Sequence, residues 1–131
     1  MLAISDETES GHLYADRPGE DYEFPTIYRN QVRPGERFVH YVTRRLKGGR
    51  RRPQAYVGEG IVGEVETSGS DPGRLACRLL SYRAFPRAVP FRDVAGSYLE
   101  RGGARRGYFQ RGVRVITAAE FNASVGLGRP G

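Results

Sequence analysis

The sequence predicts a β-rich α+β domain, compact and mostly barrel-like, with one or two short helices at its margins. Three observations point there. Glycine (18 residues) and proline (8 residues) are abundant, which favours short elements and turns over long helices. Several runs have strand character and end in turn residues. Only the end of the chain carries strong helix-capping signals, and nothing follows the alternating βαβ pattern of a doubly wound sheet. At 131 residues the size prior is one domain, long enough to bury a core without disulfides or metals.

Taken in order, residues 1–20 ("MLAISDETESGHLYADRPGE") are polar, acidic and without periodicity, and read as a flexible arm. The folded domain is expected over 21–125. "DYEFPTIY" brings aromatics and a proline together at 21–28. "VRPGERFVHYV" sets a Pro-Gly turn before a strand, with Phe38, His40 and Val42 on one face and Val39, Tyr41 and Thr43 on the other. "RRLKGGRRR" is a Gly-centred turn. In "QAYVGEGIVGEVET", Ala55, Val57, Ile61 and Val65 alternate onto one face. "SGSDPG" at 68–73 is another turn, and "RLACRLLSYRAF" is a strand with Leu75, Cys77 and Leu79 on one side. The stretch from 86 to 107 is irregular, with a short helix expected near Val94–Leu99, and "YFQRGVRVI" contains the last strand. "TAAE" fits a capping box, Thr117 at N-cap and Glu120 at N3, opening a helix from about Ala118 to Val125 that stops at Gly126. Residues 126–131 read as a flexible tail.

Charge is distributed unevenly. Residues 1–23 carry seven acids and one base, whereas 24–131 carry 20 bases and 8 acids, so the expected folded part is far more basic than the overall +6. That balance suits a polyanionic partner. All but one of the 21 bases are arginine. Arginine forks onto phosphates and stacks on bases, although a high-GC coding bias also enriches it. Six bases crowd residues 44–52: Arg44, Arg45, Lys47, Arg50, Arg51 and Arg52. A loop with this charge is a candidate grip on a nucleic-acid backbone, which positions the polymer without reading it. Arg105, Arg106 and Arg111 form a second, looser group.

Reading a base needs other side chains. Tyr22, Phe24 and Tyr28 precede the first predicted strand of the domain, and Tyr41 and Tyr56 flank the basic loop. Aromatic faces stack on unstacked bases, and the amide of Gln54 suits a base edge. These six residues are the candidate lining of a pocket for a flipped nucleotide.

Other chemistry finds little support. Gly58, Gly60 and Gly63 spell G-x-G-x-x-G, but a dinucleotide fingerprint needs a helix after it, and "EVETSGSDPG" follows. Glycines inside a strand mark bulges, tight coiling or close approach. Cys77 is the only cysteine, which excludes an internal disulfide and a thiol zinc site, and it reads as a small core residue. His12 lies in the acidic arm and His40 in a strand, without a nucleophile or paired-carboxylate pattern. No catalytic residue, metal or cofactor is expected. No apolar run nears a membrane span, and the N-terminus has no signal-peptide core, so a cytoplasmic protein is expected.

The motifs "YEFPTIY", "PGERFVHYV", "RRRPQAYVGEGIVGEV", "AVPF" and "RVITAAEFNASV", in this order and spacing, resemble an EVE-like domain of the PUA-like superfamily, a fold shared by SRA and YTH modules. The likeness spans about residues 21–125 and is closest to the N-terminal modification-sensing module of bacterial HNH restriction endonucleases. It implies a small, twisted, PUA-like β-pseudobarrel with short flanking helices, one that recognises 5-methylcytosine or 5-hydroxymethylcytosine in double-stranded DNA by flipping the base into an aromatic pocket, in modification-dependent restriction and bacterial defence. Tyr22, Phe24, Tyr28 and Gln54 fall in the matching motifs. An HNH nuclease half would follow in that family. No H-N-H pattern is present here, so a free-standing reader or a targeting piece of a larger nuclease is expected, without cleavage of its own. An RNA-binding PUA-like module, a small-molecule or nucleoside-binding enzyme domain, and a protein-interaction domain stand as alternatives.

Overall fold

The computed structural model describes residues 1–5, 21–42, 54–67, 73–92 and 95–129. Six strands form one mixed sheet: β1 (Leu2–Ser5), β2 (Asp21–Pro25), β3 (Arg37–Val42), β4 (Ala55–Thr67), β5 (Arg74–Pro90) and β6 (Val113–Val115). Their order is β2-β5-β4-β3-β1-β6. Only β1 and β3 pair in parallel, with Leu2 opposite Phe38 and Ser5 opposite Tyr41; every other pairing is antiparallel. The sheet curls into a half-barrel, closed on its outer side by one helix, α1 (Ala118–Gly128).

Strand alternation sorts the apolar residues into two cores. The inner core draws on all six strands: Leu2 and Ile4, Tyr22 and Phe24, Phe38, Val62, Cys77, Leu79 and Tyr82, and Val113, joined by Val32. The outer core takes the opposite faces: Ala3, Val39, Tyr41, Tyr56, Phe85 and Val89, covered by Ile116 and by Phe121 of α1. The two edges of the sheet approach one another where the Gly112 N–H donates to the Tyr28 hydroxyl (3.1 Å), just ahead of β6.

Glycines let the inner core close. A Cβ on Gly58 would lie 2.3 Å from the Tyr82 hydroxyl, and one on Gly60 would lie 2.8 Å from the Phe38 ring. The G-x-G-x-x-G match therefore lies wholly within β4, where two of its glycines make room for aromatic rings.

Several expectations change. Leu2–Ser5 is not the start of an arm: it is an inner strand of the sheet, its four residues all buried. The acids later in the segment mask this short apolar run. Residues 6–20 lie outside the described residues. The regular alternation read across Ala55, Val57, Ile61 and Val65 is broken by register shifts along β4 and β5. Val62 and Val65 consequently both serve the inner core. One shift lies beside Ser81, whose φ of 52° marks a bulge on β5. The helix expected near Val94–Leu99 is replaced, in the described part, by a doubled-back segment with an Arg92–Tyr98 bridge. Two 3-10 turns follow, Arg101–Ala104 and Tyr108–Gln110, so the last strand holds only the later part of the run read from Tyr108.

α1 opens with the expected capping box. The Glu120 N–H donates to Thr117 Oγ1 (3.1 Å), and Thr117 N–H donates to Glu120 Oε1 (2.7 Å). It continues past Gly126 because the last turn packs at Gly128, where a Cβ would fall 2.4 Å from the Phe85 ring.

Candidate nucleic-acid interface

The structure does not bring the six candidate pocket residues into one place. Tyr22 and Phe24 stack on each other (centroids 5.8 Å apart) within the inner core, on edge strand β2. Tyr28 is half-buried at the closing edge. Tyr41, Gln54 and Tyr56 instead meet at the outer end of β3 and β4, where those strands border residues 43–53. The basic residues Arg44, Arg45, Lys47, Arg50, Arg51 and Arg52 lie outside the described residues.

At that outer end Tyr41 and Tyr56 pack edge to face, 5.5 Å between centroids. The Gln54 amide Nε2 donates a short hydrogen bond to the Tyr41 hydroxyl. Tyr56 donates its hydroxyl to Glu100 Oε2 (2.6 Å), and Tyr108 donates to Glu100 Oε1 (2.8 Å). Arg114, from β6, closes the network with a forked pair to the same carboxylate: Nε to Oε1 at 2.8 Å and Nη2 to Oε2 at 2.9 Å. Its Nη1 donates to Ser5 Oγ (3.0 Å) and to the Arg111 carbonyl (2.8 Å). Glu100 is 1% exposed and Arg114 3%, so this is a buried ion pair whose carboxylate also receives two phenol donors.

The surroundings move each group's proton affinity in a definite direction. Burial, and then the Glu100 charge and hydrogen bond, raise the Tyr56 hydroxyl well above the ordinary tyrosine value. The same causes raise Tyr108. Burial alone would lower Arg114, but its bonds to Glu100 outweigh that and raise it. Both phenols are therefore neutral and the Arg114 guanidinium charged near neutral pH.

Around the network lie aromatic residues that sequence reasoning left out of the site: Phe91, Tyr98, Tyr108 and Phe109. Phe109 stacks on Tyr41 (5.3 Å, 18° between planes) and meets Phe91 edge to face at 5.3 Å. Tyr98 tilts against both Phe91 and Phe109. The Arg114 guanidinium carbon sits 4.8 Å from the Tyr41 ring centre and 5.0 Å from that of Phe109. Phe91, Tyr98 and Phe109 are only half-buried, whereas Tyr41 and Tyr56 are fully covered. The Phe91 N–H donates to the Gln54 carbonyl (3.2 Å), tying this cluster to the border of the basic segment. The signal for these residues was present as aromatic density between 91 and 109, interleaved with arginines, but no strand or helix period organises it.

The other candidates of the sequence are structural. His40 is buried, with Nδ1 2.6 Å from the Tyr82 hydroxyl on the inner side of the sheet. Cys77 belongs to the inner core. Among the described residues no group of three or more His, Cys, Asp or Glu side chains is placed to hold a metal ion. No described helix is long and apolar enough to cross a membrane.

No family model, curated protein or solved structure matches this chain.

Proposed function

We propose that this chain is a non-catalytic DNA-binding module of the EVE-like, PUA-like kind, which recognises 5-methylcytosine or 5-hydroxymethylcytosine as a flipped base and serves modification-dependent restriction, with an HNH nuclease as the cutting partner. The observation that carries the reading is the junction at the outer end of β3 and β4. There a half-buried amide, Gln54, is oriented by Tyr41, which in turn stacks on the half-buried ring of Phe109. By sequence this junction borders the six bases of 44–52.

Each part has a physical role in that reading. An amide presents a donor and an acceptor to a base edge, and its bond to Tyr41 sets its plane. The ring faces of Phe91, Tyr98 and Phe109 offer stacking to a base removed from its duplex, at about 1–3 kcal/mol per contact. The arginines of 44–52 hold phosphates and pull the strand toward the junction. Tyr41 and Tyr56 form the floor, held by the Glu100–Arg114 network. Tyr22 and Phe24 contribute through the fold that supports it.

One added methyl is worth about 0.8 kcal/mol of apolar burial, or about fourfold in affinity. Titration of duplexes with and without 5-methylcytosine or 5-hydroxymethylcytosine, at several salt concentrations, checks the reading. A tighter complex with a modified duplex is expected at every salt concentration. Equal affinities reject the reader function, and stronger binding of single-stranded RNA moves the module to the RNA-binding class.

A further inference from the structure

Residues 101–111 ("RGGARRGYFQR") form a strap over the outer core, and its polar and apolar residues face different ways. Tyr108 and Phe109 turn inward, onto Glu100 and Tyr41. Arg105, Arg106 and Arg111 are exposed. Between Arg101 and Ala119 there are five arginines and no acid. Arg114 is neutralised by Glu100, and Arg101 lies beside Glu120, whose carboxylate accepts from the Arg101 N–H (2.6 Å). That leaves Arg105, Arg106 and Arg111, which no carboxylate pairs among the described residues.

Arg29, Arg33, Arg83, Arg87 and Arg92 are likewise exposed with no carboxylate paired to them among the described residues, whereas Arg37 and Arg129 have acidic company. Arg37 lies 3.7 Å from Glu59, and Arg129 3.8 Å from the same carboxylate. The strap differs in concentrating three such arginines within residues 105–111, with no acid among them. The strap is also built to hold its shape. Its backbone turns at Arg105–Tyr108 and again at Tyr108–Arg111, through N–H to carbonyl bonds of 3.1 and 3.3 Å. Gly107 takes a φ of 78° between them. Gly102 and Gly103 are covered so closely by the Tyr108 and Tyr98 rings that a Cβ would fall 2.3 and 2.5 Å from them. Charges on a fixed frame lose less freedom on meeting a phosphate than charges on a loose chain.

We infer that the 101–111 strap is a second phosphate-binding element, in which Arg105, Arg106 and Arg111 contact the backbone of the same duplex whose base is read at the Gln54–Phe109 junction. This rests on the DNA-reading proposal for that junction. Phe109 lies in the strap and stacks on Tyr41, so strap and junction adjoin and one duplex spans both. The arginines supply backbone contacts alone, so they raise affinity for modified and unmodified duplexes equally.

The test is the salt dependence of binding by Arg105→Ala/Arg106→Ala/Arg111→Ala, followed by fluorescence anisotropy on methylated and unmethylated duplexes. Each lost contact is expected to flatten the slope of log Kobs against log salt by about 0.9, or about 2.7 for three. The preference for the methylated duplex should stay at the wild-type ratio. The corresponding triple lysine variant should retain most of the slope. An unchanged slope and affinity in the alanine variant overturns the strap site while leaving the reader function standing. So does a loss confined to the methylated duplex, which would mean base readout. If the wild-type chain binds no duplex at all, both proposals fall together.

Discussion

The inner and outer cores occupy opposite faces of one sheet and are built on different principles. The inner core is built mainly of aliphatic side chains and aromatic rings, and its shape comes from ring-over-glycine packing at Gly58 and Gly60. The outer core is equally aromatic but encloses a charged carboxylate, a guanidinium and two phenols. A buried ion pair is a poor way to gain stability, because desolvating the charges offsets most of their attraction. Well-packed apolar side chains would hold the same space at least as firmly. What the network does is fix directions: Glu100 orients Tyr56 and Tyr108, and Arg114 joins β6 to the strap through Arg111. The inner core fills the half-barrel, and the outer core holds a surface in one arrangement.

The largest expected effect tests that division at its charged centre. Glu100→Ala strands the Arg114 guanidinium in a buried site and should cost about 3–5 kcal/mol in urea unfolding. Replacing both members, as Glu100→Leu/Arg114→Met, should recover much of the loss, while DNA affinity stays low because the strap is no longer held. If the double variant binds like wild type, the network has no positioning role.

Next comes the inner core. Gly60→Ala forces a methyl toward the Phe38 ring and should destabilise by about 1–3 kcal/mol. In the folded population, DNA affinity should be unchanged. Loss of affinity at wild-type stability would place part of the site on the inner face and break the contrast.

The smallest effect concerns α1, which covers the outer core. Burial works against ionisation of Glu120, but the N–H bonds from Thr117 and Arg101 outweigh it and hold the carboxyl below its ordinary value. A depressed folded pKa stabilises the fold above the unfolded pKa, and that contribution fades as pH falls through the folded value. Melting temperatures from about pH 6 to about pH 3 should therefore fall less steeply for Glu120→Gln than for the wild type. Parallel profiles would show that the capping contacts contribute nothing pH-dependent.

Much of this architecture was legible in the sequence where a local rule applies. Alternation placed Phe38 and His40 opposite Val39 and Tyr41, and spacing identified the Thr117–Glu120 capping box. The glycines of β4 were correctly read as strand residues from the absence of a following helix. Long-range features escaped. Leu2–Ser5 becomes a strand only because β3 and β6 flank it, a pairing no local pattern encodes. The bulges that turn Val62 and Val65 to one side arise from matching two long, twisted strands. Glu100 and Arg114 are ordinary charged residues in sequence, 14 positions apart, and only the fold shows that they share a buried fork. Tyr22 and Tyr41 look alike as aromatic candidates, yet one faces each core.

Amide chemical-shift mapping during titration with a 5-methylcytosine duplex tests the central claim most directly. The account predicts the largest perturbations at Gln54, Phe91, Phe109, Arg105 and Arg106, with little change along β2 and at Tyr28. Perturbations centred on β2 and Tyr28, with the Gln54–Phe109 junction unmoved, would contradict it.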